Sequence, residues 1–402
     1  MIGKIIDIYK DSFSGLSRNV WLLGLTMLIN RSGAMVLPFM SLYLTTSLGF
    51  TLSMAGSILG AYGAGSVLGS YIGGQLTDRY GHYYVQLTSL VVGAVILTSM
   101  IFLVDFVSLF IAVFAFSLMA DMFRPANSVA IAVHAKPENR TRSYSLMRFA
   151  ANVGFSIGPA LGGIIAGTLG FKWIFLVDAV TCLGAAAILY TYMNDKKLEK
   201  TEHKIKLKPT GLSAYQDKEY LLFIFLVSLY GIAFFQLFTS VPVFYDQEWG
   251  FSETKIGLLL AMNGVLVVIF EMPVVRTLEH ITRYMRMIAI GGFLMILSFL
   301  VLTMGWRGLI PALLFMVFIS FSEILAMPFM TNYAISRAEE SRRGQYMALY
   351  AMAYGVAHIV APLGSMYLAD HFGFQTLYVF LIGLSVMITL AFYSLRKRDI
   401  LG

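Results

Sequence analysis

Four side chains carry charge deep inside apolar stretches of this sequence: Arg31, Asp121, Arg124 and Glu323. A charge in hydrocarbon costs several kcal/mol unless it is paired or hydrated, so each marks a candidate for function. Glu323 follows Ser322 and precedes Pro328, with no basic residue within a helical turn. A carboxyl in that setting can hold a proton and release it when water reaches it; the plainer reading is a static hydrogen bond. Asp121 and Arg124 stand three residues apart, on one helix face, where they can pair. The pair reads either as self-neutralising structure or as part of proton and substrate handling. Arg31 lies between Asn30 and Ser32-Gly33.

Other polar residues extend the set. Asn127, Asn152, Gln236 and Asn263 are candidate contacts for a polar group of a substrate. His358 can titrate near neutral pH or simply join two helices by a hydrogen bond. Glu271 precedes Met272-Pro273 and can pair with Arg276 at a gate or meet a ligand. Arg148, a turn into its helix, can reach the interface along its own stem, and Asp178 reads as structural in the same way. Cys182 has no second cysteine, which excludes disulfide frameworks and cysteine metal clusters. No P-loop, HExxH, GxSxG or CxxC occurs. The expectation is a protein that is not an enzyme, is not driven by ATP, and holds no metal or cofactor.

The elements that position these residues follow from composition. Of 402 residues 58% are apolar and 13% charged, against about 25% charged in soluble domains. Twelve membrane helices need about 240 residues in apolar runs. Segments of suitable length fall at 20–45, 53–75, 84–104, 107–133, 145–168, 173–193, 219–245, 254–275, 286–305, 309–335, 344–368 and 375–395. Here they are called spans one to twelve. The sequence therefore predicts an all-α membrane protein. Residues 1–19 show no cleavable signal pattern, so span one is expected to serve as its own insertion signal.

Charge gives the orientation. Of the 29 Lys and Arg, Arg31, Arg124 and Arg148 lie in spans and only Lys172, Lys255 and Arg307 fall on one face. The other 23 share the opposite face, which the positive-inside rule makes cytoplasmic, together with both termini. Residues 194–218 form a Lys-rich cytoplasmic linker, with an amphipathic helix on anionic lipid as one expectation. No basic domain surrounds it, so nucleic-acid binding is not expected. The domains predicted are thus 1–193, a linker at 194–218, and 219–402.

The two halves echo each other. Gly49-Phe50 recurs as Gly250-Phe251, Gly56 as Gly257 and Gly63 as Gly264, at an offset of 201. Pro125 recurs as Pro328, Arg140 as Arg343, Pro159 as Pro362 and Gly170-Phe171 as Gly373-Phe374, at 203. Six spans repeated in one orientation imply two bundles related about the membrane normal, with a site near the midplane and alternating access.

Two motifs sharpen the reading. Gly74-Gln75-Leu76-Thr77-Asp78-Arg79-Tyr80-Gly81 joins spans two and three and carries one charge of each sign at the interface. There the carboxylate can cap a helix and the guanidinium can pair with an acid. In span five, Gly154, Gly158-Pro159 and Gly162-Gly163 make a smooth strip for close helix packing. With these motifs, the twelve spans, the repeat and the linker, the chain resembles the major facilitator superfamily over essentially its whole length. The first motif is similar to that family's motif A, a gate between spans two and eleven. His82, Tyr83 and Tyr84 stand where basic residues are usual, and the second-half echo of Asp78 is Glu279. The second is similar to motif C of the drug:proton antiporters, with Pro362 alone kept in its echo. Motif B's early arginine is missing near Phe116, and Arg124 comes later.

The resemblance implies a monomeric multi-pass protein of the plasma membrane, the inner membrane in a bacterium. It implies a proton-coupled antiporter exporting small amphipathic or lipophilic compounds, that is, multidrug efflux. Glu323 resembles the acid ahead of a proline in span ten of that branch and, with Asp121, would carry protons. Span one lines the family's cavity, so Arg31 and Asn30 would face substrate with Arg124, or Arg31 would neutralise Glu323 or Asp121. Gly74, Asp78, Arg79, Gly81 and Glu271 would gate. The 23 Met, 31 Phe, 22 Tyr and 4 Trp suit a deformable apolar pocket but equally suit any membrane helix. Rival expectations are a carrier of one metabolite, an anion held by Arg31 and Arg124, a lipid flippase, and a non-transporting sensor.

Overall fold

The computed structural model describes residues 15–193, 212–278, 283–339 and 342–395. Most of the Lys-rich linker and Glu279 lie outside these residues. The described chain is helical throughout, in spans Arg18–Ser47, Leu52–Tyr80, His82–Met100, Phe106–His134, Arg140–Thr168, Lys172–Tyr192, Lys218–Gln247, Glu253–Leu278, Tyr284–Thr303 and Leu309–Arg337, followed by Arg343–Leu395. That last run is two spans joined end to end. Gly373 interrupts it with φ 79° and ψ 162°, a backbone form closed to other residues without strain, so spans eleven and twelve lie either side and the twelve are present.

Punctuation follows local chemistry. The Ser108 N–H donates to Asp105 Oδ1 at 2.9 Å to start span four, and the Tyr220 N–H donates to Asp217 Oδ1 at 3.1 Å to start span seven. Apolar side chains also cover the outside: Phe102 is 78% exposed and Ile310 71%, a surface that suits lipid and not water. The internal repeat extends to the backbone. Gly49 and Gly250 both have positive φ, and the next N–H folds back alike, Phe50 to Leu44 O at 2.9 Å and Phe251 to Tyr245 O at 3.0 Å.

Two spans expected to be continuous are broken. Span one stops at Gly33, restarts as Val36–Leu42 and ends in a π-turn, Tyr43–Ser47. Span seven runs Lys218–Phe234, passes through a 3-10 turn at Phe235–Phe238 and restarts as Ser240–Gln247. The repeat places the breaks at equivalent positions. A proline follows each, Pro38 and Pro242, which cannot donate to the carbonyl four residues back, at Ala34 and Phe238.

The described chain divides into two compact units that do not follow chain order. Among the described residues, one contains 15–43, 64–193 and 252–268; the other contains 44–63, 212–251 and those of 269–395. Close helix contacts explain the exchanged pieces. In the first unit span eight lies so near span five that a Cβ on Gly163 would stand 2.8 Å from the Gly257 Cα, and the Thr254 hydroxyl donates to Gly163 O at 3.1 Å. In the second, the start of span two lies on span eleven: a Cβ on Gly56 would stand 2.6 Å from Pro362 O. The Ser53 N–H and hydroxyl there both donate to Asp370 Oδ2, at 3.2 and 2.5 Å. A second glycine strip, Gly65, Gly69 and Gly73, packs span two on Phe114, Leu118 and Met122 of span four. Its spacing of four is visible in the sequence.

Candidate functional site

In the second unit, the half-buried Glu323 sits on span ten among tyrosines. The neighbouring Ser322 hydroxyl shares a 2.9 Å hydrogen bond with Tyr230 of span seven. Tyr230 and Tyr354 of span eleven are both within electrostatic reach of the Glu323 carboxyl. His358, a turn beyond Tyr354, uses Nδ1 to hydrogen-bond Tyr354 O at 2.9 Å and lies 3.8 Å, centroid to centroid, from the Phe235 ring in the span-seven break. Gln236 is also part of that break. Its Oε1 accepts from Thr239 and Ser240 hydroxyls at 3.2 and 2.7 Å, and its amide donates to Ile232 O at 2.9 Å. Gln236 therefore holds the interrupted helix together.

In the first unit the Arg31 guanidinium carbon stands 5.5 Å from the centroid of the Phe155 ring, a cation–π contact. Its acid neighbour is Asp178 of span six; Asp121 is engaged by Arg124. The buried Asp178 carboxyl accepts from the Met35 and Val36 N–H groups at the span-one break. Asn30 donates to Cys182 Sγ at 3.5 Å. Gly154 and Gly158 lie against the Arg31-Ser32 backbone, and Gly162 against Met35 and Phe39. The span-five strip thus packs on span one along one edge and on span eight at Gly163, with Pro159 between. Removing the carboxyl in Asp178→Ala leaves those N–H groups without it as an acceptor. The expected cost is about 2 kcal/mol of stability, read by thermal unfolding of the purified protein.

Asp121 and Arg124 pair as their spacing predicts, Arg124 Nε to Asp121 Oδ1 at 2.6 Å. The acid is buried and the guanidinium side chain 54% exposed. Asp121 Oδ2 is buried with no hydrogen-bond partner among the described residues. Nearby on span four, Asn127 Oδ1 accepts from Gln86 of span three at 3.1 Å. The structure thus gives Asn127 a protein partner. Asn152 carries the Ser156 hydroxyl on its carbonyl at 3.0 Å, and Asn263 is buried in span eight.

At the turn between spans two and three, Gly81 has φ 84° and is the N-cap of the next helix. Asp78 and Arg79 are exposed, with Arg79 over the Tyr80 ring at 5.2 Å, and Gly74 faces open space. Glu271 is half-buried ahead of Pro273, Arg276 exposed, and Arg148 exposed near the start of its span. Among the described residues no three His, Cys, Asp or Glu side chains are grouped to hold a metal ion.

A cluster that sequence reasoning missed lies at the end of span ten. Arg337 donates from Nε to Asp217 Oδ2 at 2.7 Å, from Nη2 to Asp217 Oδ1 at 2.9 Å and to Glu219 Oε2 at 3.0 Å, and from Nη1 to the Tyr333 hydroxyl at 3.1 Å. Tyr346 adds its hydroxyl to Asp217 Oδ2 at 3.0 Å. The Asp-x-Glu pair at 217 and 219 was the available signal, masked by the Lys-rich stretch before it.

Known proteins match this chain along its length. The family model described as Major Facilitator Superfamily matches residues 20–362 and 223–400. An uncharacterised MFS-type transporter of Bacillus subtilis, YttB, is 24% identical over 390 residues, covering 96% of each chain. A Na(+), Li(+), K(+)/H(+) antiporter of Planococcus maritimus is 24% identical over 397 residues, 89% of this chain and 91% of that one. The multidrug resistance protein MdtH of Citrobacter koseri is 22% identical, covering 86% and 84%. Among solved structures, a POT family transporter in complex with 5-aminolevulinic acid superposes with a TM-score of 0.80 at 16% identity, over 96% and 98%.

Proposed function

The chain belongs to the major facilitator superfamily of membrane transporters, and on that premise we propose that it is a proton-coupled antiporter exporting small amphipathic or lipophilic compounds. The observation that carries this reading is the carboxyl of Glu323, half-buried in span ten between tyrosines of spans seven and eleven. A group so placed can be loaded from one side of the membrane and emptied to the other. Relatives named as a cation/proton antiporter and as a multidrug resistance protein support the class of reaction and of cargo. Arg31 already faces Asp178 and Phe155, which favours an amphipathic cargo over an anion held by that guanidinium.

In the cycle we propose, Glu323 takes a proton from outside, with the Asp121–Arg124 pair as a second site responsive to charge. Neutralisation favours closing the outer side. The turn at Asp78-Arg79 releases the cytoplasmic side, where Glu323 loses its proton and cargo enters. Residues 1–193 and 219–402 act as the two halves and 194–218 as their cytoplasmic linker. The 23 cationic residues on one face support cytoplasmic termini in a plasma membrane, the inner membrane of a bacterium, and we take the protein as a monomer.

The test uses a ligand identified by a thermal-shift screen of lipophilic cations, beginning with tetraphenylphosphonium. In proteoliposomes Glu323→Gln should still bind it yet lose accumulation driven by a pH gradient. Uphill transport equal to wild type would show that another group carries the proton.

A further inference from the structure

The second unit contains a line of hydroxyl groups that the transport scheme does not use. Four aromatic residues recur on span eleven at a spacing of four: Tyr346, Tyr350, Tyr354 and His358. They therefore share one face of the helix. At one end Tyr354 is within electrostatic reach of Glu323. The Tyr354 and Tyr350 hydroxyls are hydrogen-bonded at 3.3 Å, and Tyr350 also meets the Thr331 hydroxyl of span ten at 3.1 Å. At the other end, one turn on, Tyr346 donates to Asp217, inside the cluster formed with Arg337 and Glu219. Tyr220 of span seven bridges that turn. Its ring lies 4.4 Å from the Tyr346 ring, its hydroxyl donates to Tyr346 O at 2.6 Å, and it is within electrostatic reach of Tyr350. Tyr346, Tyr350 and Tyr220 are buried.

We propose that this tyrosine line is the route by which the proton of Glu323 leaves, toward the end of the unit closed by Asp217 and Arg337. The inference rests on Glu323 being the proton carrier. Each hydroxyl both donates and accepts, so a proton can pass without any tyrosine becoming charged. Glu323 gives its proton to the Tyr354 oxygen while Tyr354 passes its own to Tyr350. Tyr350 passes its own to a water molecule that enters beside Tyr346 from the end closed by Asp217 and Arg337, and that water carries the proton out to bulk solvent as hydronium. Glu323 is left as the carboxylate and every tyrosine as the neutral phenol. Rotation of the hydroxyls resets the line. Asp217 is held ionised by Arg337, Tyr346 and the Tyr220 N–H, so it marks the exit and does not store the proton. The remaining titratable groups along the line are Tyr230 beside Glu323, His358 a turn beyond Tyr354, and Tyr333 on Arg337.

The role is read by infrared spectroscopy of the full-length protein in proteoliposomes after a pH jump. The carboxylic C=O band that disappears in Glu323→Gln identifies the carrier, and its decay gives the rate of proton release. Tyr354→Phe and Tyr350→Phe keep the rings and remove the hydroxyls. Each should slow that decay at least about tenfold while leaving the midpoint of the band's pH titration in place. Wild-type decay in both variants would overturn the route and leave Glu323 as carrier. A midpoint that moves in step with the rate would reduce the tyrosines to structural neighbours and equally overturn it. If no titrating band is lost in Glu323→Gln, the carrier assignment itself fails, and the route with it.

Discussion

Asp217→Asn should destabilise the protein by about 2 kcal/mol, because it removes one of the two carboxylates that compensate Arg337 and leaves part of a half-buried hydrogen-bond set unmet. The carboxylate accepts from Arg337 Nε and Nη2, the Tyr346 hydroxyl and the Tyr220 N–H. An amide can satisfy only part of that set and none of the charge. Arg337 is 28% exposed and keeps its contact with Glu219, which holds the expected cost below that of orphaning a fully buried charge. The pH dependence follows from the same contacts. Burial opposes the charge on Asp217, but the Arg337 hydrogen bonds and the Tyr220 N–H outweigh it and hold the carboxyl below the ordinary range. Its contribution is therefore fully present above the unfolded carboxylate pKa of about 3.9 and is lost as pH falls through the lower, folded value. Thermal unfolding against pH should show wild type losing stability on the acid side. Asp217→Asn should start lower and lose less there, and Asp217→Asn with Arg337→Met should recover part of the loss. Equal curves for wild type and Asp217→Asn would mean that the cluster contributes nothing.

A disulfide between spans five and eight should stop transport reversibly. A Cβ on Gly167 would stand 2.7 Å from the Thr254 hydroxyl oxygen, which brings the two Cβ positions within the roughly 3.5–4.5 Å that a disulfide needs. Alternating access requires one set of span contacts to part in each cycle. Gly167→Cys with Thr254→Cys should therefore transport normally when reduced, fall more than about tenfold on oxidation and recover with reductant. The single-cysteine variants should not respond to oxidant. Cys182 is buried and leaves a clean background. If the oxidised double variant keeps its rate, this contact does not open during transport.

The spans could be read from the sequence because charge and glycine punctuate them, and every predicted segment lies on a helix within a few residues of its ends. The repeat was legible for a physical reason: Gly170 and Gly373, like Gly49 and Gly250, occupy the left-handed region that favours glycine, so the residue type survives where its neighbours drift. The breaks in spans one and seven are not legible in the sequence, although Pro38 and Pro242 mark them. A proline alone leaves open whether a helix bends or stops, and what stops these two comes from elsewhere. Asp178 takes up the N–H groups of Met35 and Val36 from 142 or more residues away, and Gln236 folds back on Thr239 and Ser240. Partner choice was least legible of all. Asp121 with Arg124 followed from a spacing of three; Arg31 with Asp178 and Arg337 with Asp217 depend on the tertiary fold.

Proton-coupled export is tested most directly by flux through the wild-type protein in liposomes carrying an imposed pH gradient, with tetraphenylphosphonium as cargo and the membrane potential clamped. The account predicts that cargo moves uphill against the inward flow of protons, that each turnover moves protons the other way, and that collapsing the gradient with an ionophore abolishes accumulation. Cargo flux that is indifferent to the size and direction of the gradient would contradict it.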